Sequence, residues 1–353
     1  MNEDMLHQSA CELLSGKVST NGCTLDLLKG GKNNRVYRAC TGDFQALLKV
    51  YFKHPQDNRD RCKTEFSFAS FAWNQGIRSI PEPLECNYEK GMALYEFVDG
   101  VHLRSEEITE QVVNDALEFF VQLNEKRTVK EASELARASE ACFSIHDHLI
   151  CIEGRVLALI AATDDPEFDP KVKDFVLGQL VPAWMRVKNE VSDRCKKASM
   201  DTYRQIPLEG RRLSPSDFGF HNALRRTNGE LCFLDFEYAG WDDVAKTICD
   251  FFLQPAVPVP FPFFDSSLKR IFADFHDRNS EEFRLLLLFP VYQIKWCCIL
   301  LNEFLPVGRT RRGFALGTRG NQARIHEQLQ LAAASLEKVH LHSSVLPLAE
   351  MGN

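Results

Sequence analysis

The chain has 353 residues, 44% of them hydrophobic and 26% charged, and a formal net charge of −7. Its length suits one large domain or two lobes around a cleft, and its composition is that of an ordinary globular protein. The acidic balance argues against a general nucleic-acid-binding function, because nucleic-acid-binding domains carry clustered positive charge.

The N-terminal sequence MNEDMLHQSACELL lacks the basic segment and apolar core of a signal peptide. The longest apolar runs, 156–162 and 285–289, are too short to span a bilayer. The 12 cysteines are scattered without a CxxC pair, which predicts reduced thiols rather than a metal site or a disulfide framework. We therefore expect a cytoplasmic protein with no membrane or nucleic-acid partner; the sequence makes no prediction of oligomeric state.

Residues 24–52 have the pattern of β structure. TLDLLKGG ends in glycines, and the apolar runs NRVYRAC and FQALLKVYF flank Thr41-Gly42-Asp43, a good hairpin turn. Residues 57–75 predict a helix, with Asp57 or Asn58 as its cap. A second predicted hairpin turns at Glu89-Lys90-Gly91, which completes a small α+β lobe.

From Asp99 onward the pattern is mainly helical. Residues 113–126 are amphipathic, and several helices are predicted over 130–205 with a charged break at 163–169. Residues 217–243 predict a loop, a short strand, a tight Asn228-Gly229 turn and another strand. The remainder is predicted helical apart from the proline-rich stretch PAVPVPFPFF.

Lys49 lies within the apolar strand LLKVYF. A buried ammonium group needs an anionic partner, and the helix that follows offers Glu65. The alternative, which this segment taken alone favours, is a lysine that points to solvent from an edge strand. The preceding loop, GGKNNRVYRA, has glycines and asparagines that suit the approach of backbone N–H groups to phosphate, but this loop taken alone favours an ordinary turn.

Asp217 and Asn222 lie in the segment LSPSDFGFHNALRR, and Asp235 follows in LDFEYAG. A carboxylate beside a substrate hydroxyl can accept its proton during phosphoryl transfer, and amide and carboxylate oxygens suit Mg²⁺. The alternative is that these side chains only cap a loop. Their order after Lys49 and Glu65 favours the first interpretation.

This order of features resembles the kinase-like phosphotransferases, specifically the aminoglycoside phosphotransferase and choline kinase family. The resemblance implies an α+β, two-lobed, protein-kinase-like fold with a β-rich N-lobe at 1–98 and a mostly helical C-lobe at 99–353. It also implies transfer of the γ-phosphate of ATP, with Mg²⁺, to a hydroxyl of a small molecule such as an aminoglycoside, a sugar or a choline-like alcohol.

The resemblance assigns roles by position. Asp217 corresponds to the catalytic base, and Asn222 and Asp235 correspond to metal ligands. The positions that correspond to the nucleotide site are Gly31, Asn33, Asn34, Val36, Lys49, Glu65, Glu96, Phe97 and Val98. The candidate substrate contacts are Glu237, Asp242 and Trp296; Glu237 is equally compatible with a metal role, and the Trp296 ring suits either cation–π recognition or core packing.

The sequence departs from the family at Pro215, where a histidine is usual two residues before the catalytic Asp, and at Leu47, where a small residue is usual. The loss of that histidine leaves open a catalytically weak nucleotide-binding pseudokinase. A protein kinase is a weaker alternative, because Trp241-Asp242-Asp243 follows Asp235 within a few residues and no APE-like segment is present. The basic stretch 308–320 suits either an anionic substrate group or a solvated loop.

Overall fold

The computed structural model describes residues 3–20, 22–28, 34–53, 57, 59–305 and 322–345. The N-terminal part of the chain forms an antiparallel sheet whose strands are β1 (Thr24–Leu27), β2 (Arg35–Thr41), β3 (Phe44–Val50), β4 (Pro83–Asn87) and β5 (Met92–Glu96). Their order is β1-β2-β3-β5-β4, so β3 is the central strand.

Two helices, α1 (Glu3–Leu14) and α2 (Arg61–Asn74), pack on opposite faces of this sheet. Successive side chains of a strand point to opposite faces. Leu48 and Val50 therefore pack with α1, while Lys49 points to the α2 side. The sheet thus places Lys49 on its inner face and not on an exposed edge.

Both predicted hairpins are confirmed, since β2 and β3 join at Gly42 and β4 and β5 at Gly91. The predicted helix is also present, but the prediction of its cap was wrong. Asp60 caps α2 by accepting from Lys63 N at 3.0 Å, while Asp57 binds the guanidinium groups of Arg59 and Arg61. Asn58 lies outside the described residues, and the sequence analysis does not predict α1.

Three short strands, β6 (Gly100–His102), β8 (Ala223–Arg226) and β9 (Leu231–Phe233), form a second sheet. Two more, β7 (Arg212–Ser214) and β10 (Gly240–Asp242), pair beside it. The predicted Asn228-Gly229 turn joins β8 to β9 and is confirmed by a φ of 90° at Gly229. These strands hold the loops 215–222 and 234–239 next to each other.

The α-helices lie mainly in the rest of the described chain, where loops and short turns connect them. Those in this part are α3 (Glu110–Glu125), α4 (Ile145–Ala162), α5 (Pro170–Phe175), α6 (Val181–Lys197), α7 (Val244–Leu253), α8 (Phe264–Ile271), α9 (Arg278–Leu300) and α10 (Gln322–Val345). The predicted helix over 113–126 and the break between α4 and α5 are confirmed. A π-helical turn, Val176–Leu180, joins α5 to α6.

Helix α9 is the centre of the helical part and packs against α4, α6, α7 and α10. By length and composition it is apolar enough to cross a membrane, but 94% of its most apolar window is buried inside the protein. That burial by other helices is typical of a core helix. The apolar run 285–289 lies inside α9, between Arg284 and Lys295, in a part of the chain that the sequence predicts to be helical.

Candidate active site

The ammonium group of Lys49 connects the N-terminal sheet to the helical part of the chain. Its Nζ donates to Glu65 Oε2 on α2 at 2.7 Å and to Asp235 Oδ1 in the 234–239 loop. Burial opposes the charge on Lys49, but Asp235 and Glu65 outweigh it and hold its pKa above the ordinary value. The predicted partner Glu65 is therefore in contact with Lys49, and the solvent-facing alternative is excluded.

Glu65 is held in turn by Tyr51, whose hydroxyl group also contacts that of Tyr95. Tyr51 donates to Glu65 Oε2 at 2.9 Å, and the Tyr51 and Tyr95 hydroxyls are 2.8 Å apart. Burial raises the pKa of Glu65, and Lys49 offsets this in part. Tyr51 lies two residues after Lys49, so strand alternation puts both on one face, which is the signal that points to Tyr51.

Asp235 has a φ of 67°, a left-handed conformation that non-glycine residues rarely adopt. Such backbone persists where the surroundings enforce it, and it concentrates at functional sites. The Asp235 side chain is 33% exposed, so its carboxylate is accessible from the cleft while one oxygen binds Lys49. This exposure suits a metal ligand.

Asp217 and Asn222 are brought to the same place by the 215–222 loop. Asn222 Nδ2 donates to the Asp217 carbonyl oxygen at 3.0 Å, and Leu234 N donates to the Asn222 carbonyl oxygen at 2.8 Å. The first bond commits the amide nitrogen and leaves the amide oxygen as the atom suited to a hard cation. The second bond ties the loop to the residue before Asp235.

His221 contacts the Asp217 carboxylate. Its Nε2 lies 3.2 Å from Asp217 Oδ1, and its Nδ1 is buried without a hydrogen-bond partner among the described residues. Gly219 makes room for this ring, since a Cβ there would lie 2.9 Å from His221 Nδ1. The loop sequence therefore contains a histidine close to Asp217, although not at the position that is usual in the family.

Pro215 is buried, and two hydroxyl groups hold the loop around it. Ser214 Oγ accepts from Ser216 N at 3.0 Å and from Thr247 Oγ1 on α7 at 2.7 Å. Ser216 has a φ of 67°, so the turn into Asp217 is a constrained one. The contact between Ser214 and Thr247 cannot be predicted from the sequence, because the two residues lie in separate elements.

Glu237 lies two residues after Asp235, and its side chain is fully buried. Its Oε2 accepts from Asn34 Nδ2 at 2.7 Å and lies 3.6 Å from Arg61 Nε. Asn34 Oδ1 accepts from Phe52 N at 3.0 Å. The predicted nucleotide-loop residue Asn34 thus contacts a predicted substrate residue across the cleft.

The other predicted nucleotide residues follow from the sheet. Val36 lies opposite Lys49 in the β2–β3 register, so it belongs to the same end of the cleft. Glu96 ends β5 and binds Arg226, Phe97 contacts Arg38, and Val98 is buried. Gly31 and Asn33 lie outside the described residues, as does the basic stretch 308–320.

A cavity of about 360 Å³ opens beside Asp217 and His221, within the size range of small-molecule sites. Three cations in its wall are paired with carboxylates. Lys295 Nζ donates to Asp250 Oδ2 at 2.6 Å, Arg155 donates to Glu140 at 2.5 Å, and Lys246 donates to Asp242. The cavity is therefore lined by charges of both signs.

Of the predicted substrate residues, Trp296 lines this cavity, and its Nε1 donates to Asp250 Oδ1 at 3.0 Å. Asp242 does not line it, because its side chain is fully buried beneath Lys246 and also accepts from Cys142 N. Asp242 therefore reaches a bound molecule only through Lys246. Asp250 holds Lys295 and Trp296 in the cavity wall.

Comparisons with known proteins agree with the fold described above. A model of the family described as "Phosphotransferase enzyme family" (APH) matches residues 24–285. No curated protein matches the chain. At 16% identity, a choline/ethanolamine kinase family protein from Mesorhizobium loti superposes with a TM-score of 0.60 over 100% of both chains.

Two further solved structures are similar. Spectinomycin phosphotransferase, in complex with ADP and spectinomycin, has a TM-score of 0.64 and 11% identity over 98% of this chain and 99% of that one. Amicoumacin kinase, in complex with AMP-PNP and Ca²⁺, has a TM-score of 0.55 and 13% identity over 96% of this chain and 94% of that one. These likenesses confirm the predicted two-lobed fold class.

Proposed function

The chain belongs to the phosphotransferase enzyme family, and we propose that it is a small-molecule kinase that uses ATP and Mg²⁺ to phosphorylate a hydroxyl group. One observation carries the proposal. The Lys49–Glu65 pair, Asp235 and the loop of Asp217 meet at one cleft, beside a cavity of acceptor size.

The nucleotide would lie between the two lobes, which we divide at Val98. Lys49 binds phosphate oxygens, and the strand end at residues 95–98 holds the base by its backbone. Asp235 and Asn222 would hold Mg²⁺, which suits their carboxylate and amide oxygens. When bound, the ion neutralises charge on the phosphate groups.

Asp217 positions the acceptor hydroxyl and takes its proton as the phosphoryl group is transferred. His221 orients that carboxylate through the 3.2 Å contact. The hydroxyl groups of Ser214 and Thr247 hold the turn around Pro215. This support favours an active enzyme over a pseudokinase, because the loop is anchored without the usual histidine.

The paired charges of both signs around the cavity favour a polar acceptor, such as a hydroxylated amino acid or a neutral sugar. The aromatic rings of its wall already face protein cations: Arg59 lies 5.4 Å from the Tyr238 ring, and Lys295 lies 6.0 Å from the Trp296 ring. A quaternary ammonium ion or a polycationic aminoglycoside placed there meets those cations at close range.

A cytoplasmic location of the protein fits this activity. The twelve cysteines are free thiols, which persist in a reducing compartment, and ATP is the proposed second substrate.

The test is an ATP-consumption assay over hydroxylated amino acids, sugars, choline and an aminoglycoside, with the wild type and Asp217→Asn. We expect the substitution to lower turnover by at least ~100-fold, because general-base catalysis contributes 10²–10⁴-fold. ATP-induced thermal stabilisation is expected to remain, since Asp217 lies on the acceptor side. Asp193→Asn, whose side chain is 69% exposed on α6, is the matched control.

Each result separates the alternatives. Wild-type turnover that Asp217→Asn retains contradicts the assignment of Asp217. ATP binding without turnover of any acceptor indicates a pseudokinase, and transfer of label to proteins alone indicates a protein kinase. Preferred turnover of choline or the aminoglycoside contradicts only the acceptor class.

A further inference from the structure

A cluster of soft ligand atoms lies on the outer side of the N-terminal sheet, away from the cleft. His7 and Cys11 are four residues apart on α1 and so share one face of the helix. Cys23, immediately before β1, approaches them from the sheet. One ligand atom from each of the three side chains lies within 4.8 Å of the others.

The orientation of His7 is that of a metal-binding histidine. Its Nε2 lies 2.8 Å from the Cys23 carbonyl oxygen, and its Nδ1 lies 3.6 Å from Cys11 Sγ. A carbonyl oxygen only accepts hydrogen bonds, so Nε2 carries the hydrogen and the Nδ1 lone pair faces the thiol. Metal-bound histidines commonly donate their second N–H to a backbone carbonyl in this way.

The distances also suit a tetrahedral ion. A Zn–S bond is about 2.3 Å long and a Zn–N bond about 2.0 Å. The nitrogen and a sulfur ligand of a tetrahedral Zn²⁺ therefore lie roughly 3.6 Å apart. The separation between His7 Nδ1 and Cys11 Sγ has this value. Thiolate and imidazole together favour Zn²⁺ over Mg²⁺ or Ca²⁺.

We propose that His7, Cys11 and Cys23 bind Zn²⁺, with water in the fourth position. The ion cross-links α1 to the start of β1. Helix α1 otherwise packs on the sheet through apolar contacts such as those of Leu6 and Leu13. Because Lys49 lies on the opposite face of the sheet, the site stabilises the N-lobe and takes no part in phosphoryl transfer. The proposal is independent of the kinase assignment.

The test uses the full chain, purified with a reductant and stripped of metal by a chelator. Zn²⁺ is titrated in competition with a chromophoric chelator, and bound metal is counted by native mass spectrometry. We expect one equivalent in the wild type and an affinity at least ~100-fold lower for Cys11→Ser/Cys23→Ser, which removes both thiolate ligands. Cys86→Ser, a half-buried cysteine on β4, is the matched control and is expected to bind as the wild type does.

Two further measurements test the proposal if the double variant fails to fold. His7→Gln, at an exposed position, is expected to weaken Zn²⁺ binding and to lower the rise in melting temperature that Zn²⁺ produces. Co²⁺ added to the stripped wild type is expected to give thiolate-to-cobalt charge-transfer absorption. No Zn²⁺ bound by the reduced wild type, no such absorption, or equal binding by the cysteine and histidine variants overturns the proposal.

Discussion

Lys49 is the residue on which most of the candidate site depends, because carboxylates from both lobes share its ammonium group. Glu65 comes from α2, and Asp235 comes from the loop after β9. A buried cation with two carboxylates carries a net negative surplus, which the Mg²⁺ ion that we propose beside Asp235 would compensate.

Substitution of Lys49 by Met is predicted to lower kcat/KM for ATP by at least ~100-fold, because a fixed charge on the phosphate groups is lost. Glu65→Gln is predicted to have a smaller effect, since Lys49 keeps Asp235 as a partner. Steady-state kinetics over ATP concentration measure both. The matched control is Lys53→Met, an exposed lysine that binds only backbone carbonyls in the described structure; an equal loss in that variant contradicts the assignment.

At the scale of elements, the N-terminus of α7 is the junction that holds the helical lobe behind the site. Asp243 caps α7 by accepting from Ala245 N at 2.7 Å. The same carboxylate binds His148 of α4 at 2.9 Å and Arg284 of α9. One side chain therefore fixes three helices, and α7 in turn carries Thr247, which holds the loop of Asp217.

Asp243→Asn is predicted to lower the free energy of unfolding at pH 7 by about 2 kcal/mol, because the largely buried Arg284 loses one of its two carboxylate partners and keeps Glu281. Burial opposes ionisation of Asp243, but Arg284 and His148 outweigh it and hold its pKa below the ordinary value of 3.8. The ionised group therefore stabilises the fold fully above about pH 3.8, and that stabilisation disappears as the pH falls through the folded-state value.

Urea unfolding at a series of pH values checks this prediction. The difference between wild type and Asp243→Asn is expected to be constant from pH 7 down to about pH 5 and to shrink below 3.8. Asp193→Asn again supplies the exposed control. A difference that does not change with acidification means that the carboxylate charge is not what holds the junction.

At the scale of the molecule, the two lobes are joined by polar contacts across the cleft. Asn34 binds both Glu237 and Phe52 N, and Arg226 of β8 binds Glu96 at the end of β5. A ligand that binds the folded protein across both lobes stabilises it by an amount that grows with the logarithm of the ligand concentration above its Kd. Only six residues separate β9 from β10, which leaves no room for a long activation loop.

Asn34→Ala is predicted to raise the KM for ATP several-fold and to lower the melting temperature, because Glu237 loses a buried donor at a cost of about 1–3 kcal/mol. The kcat at saturating ATP is expected to change less, since Asp217 and Asp235 are untouched. Thermal-shift and kinetic measurements test this prediction. The control is Asn74→Ala, which replaces an exposed asparagine on α2. A lower kcat with unchanged KM contradicts this bridging role.

The chain sequence by itself determined both hairpins, α2 and the order of Asp217, Asn222 and Asp235, because these depend on local turn chemistry, period and spacing. Only the tertiary structure decided which side chains support them. Tyr51 with Tyr95, Ser214 with Thr247, and His7 and Cys11 with Cys23 each join residues from different elements. A hydrogen bond or a ligand set depends on distance in space, and sequence spacing fixes that distance only within one element.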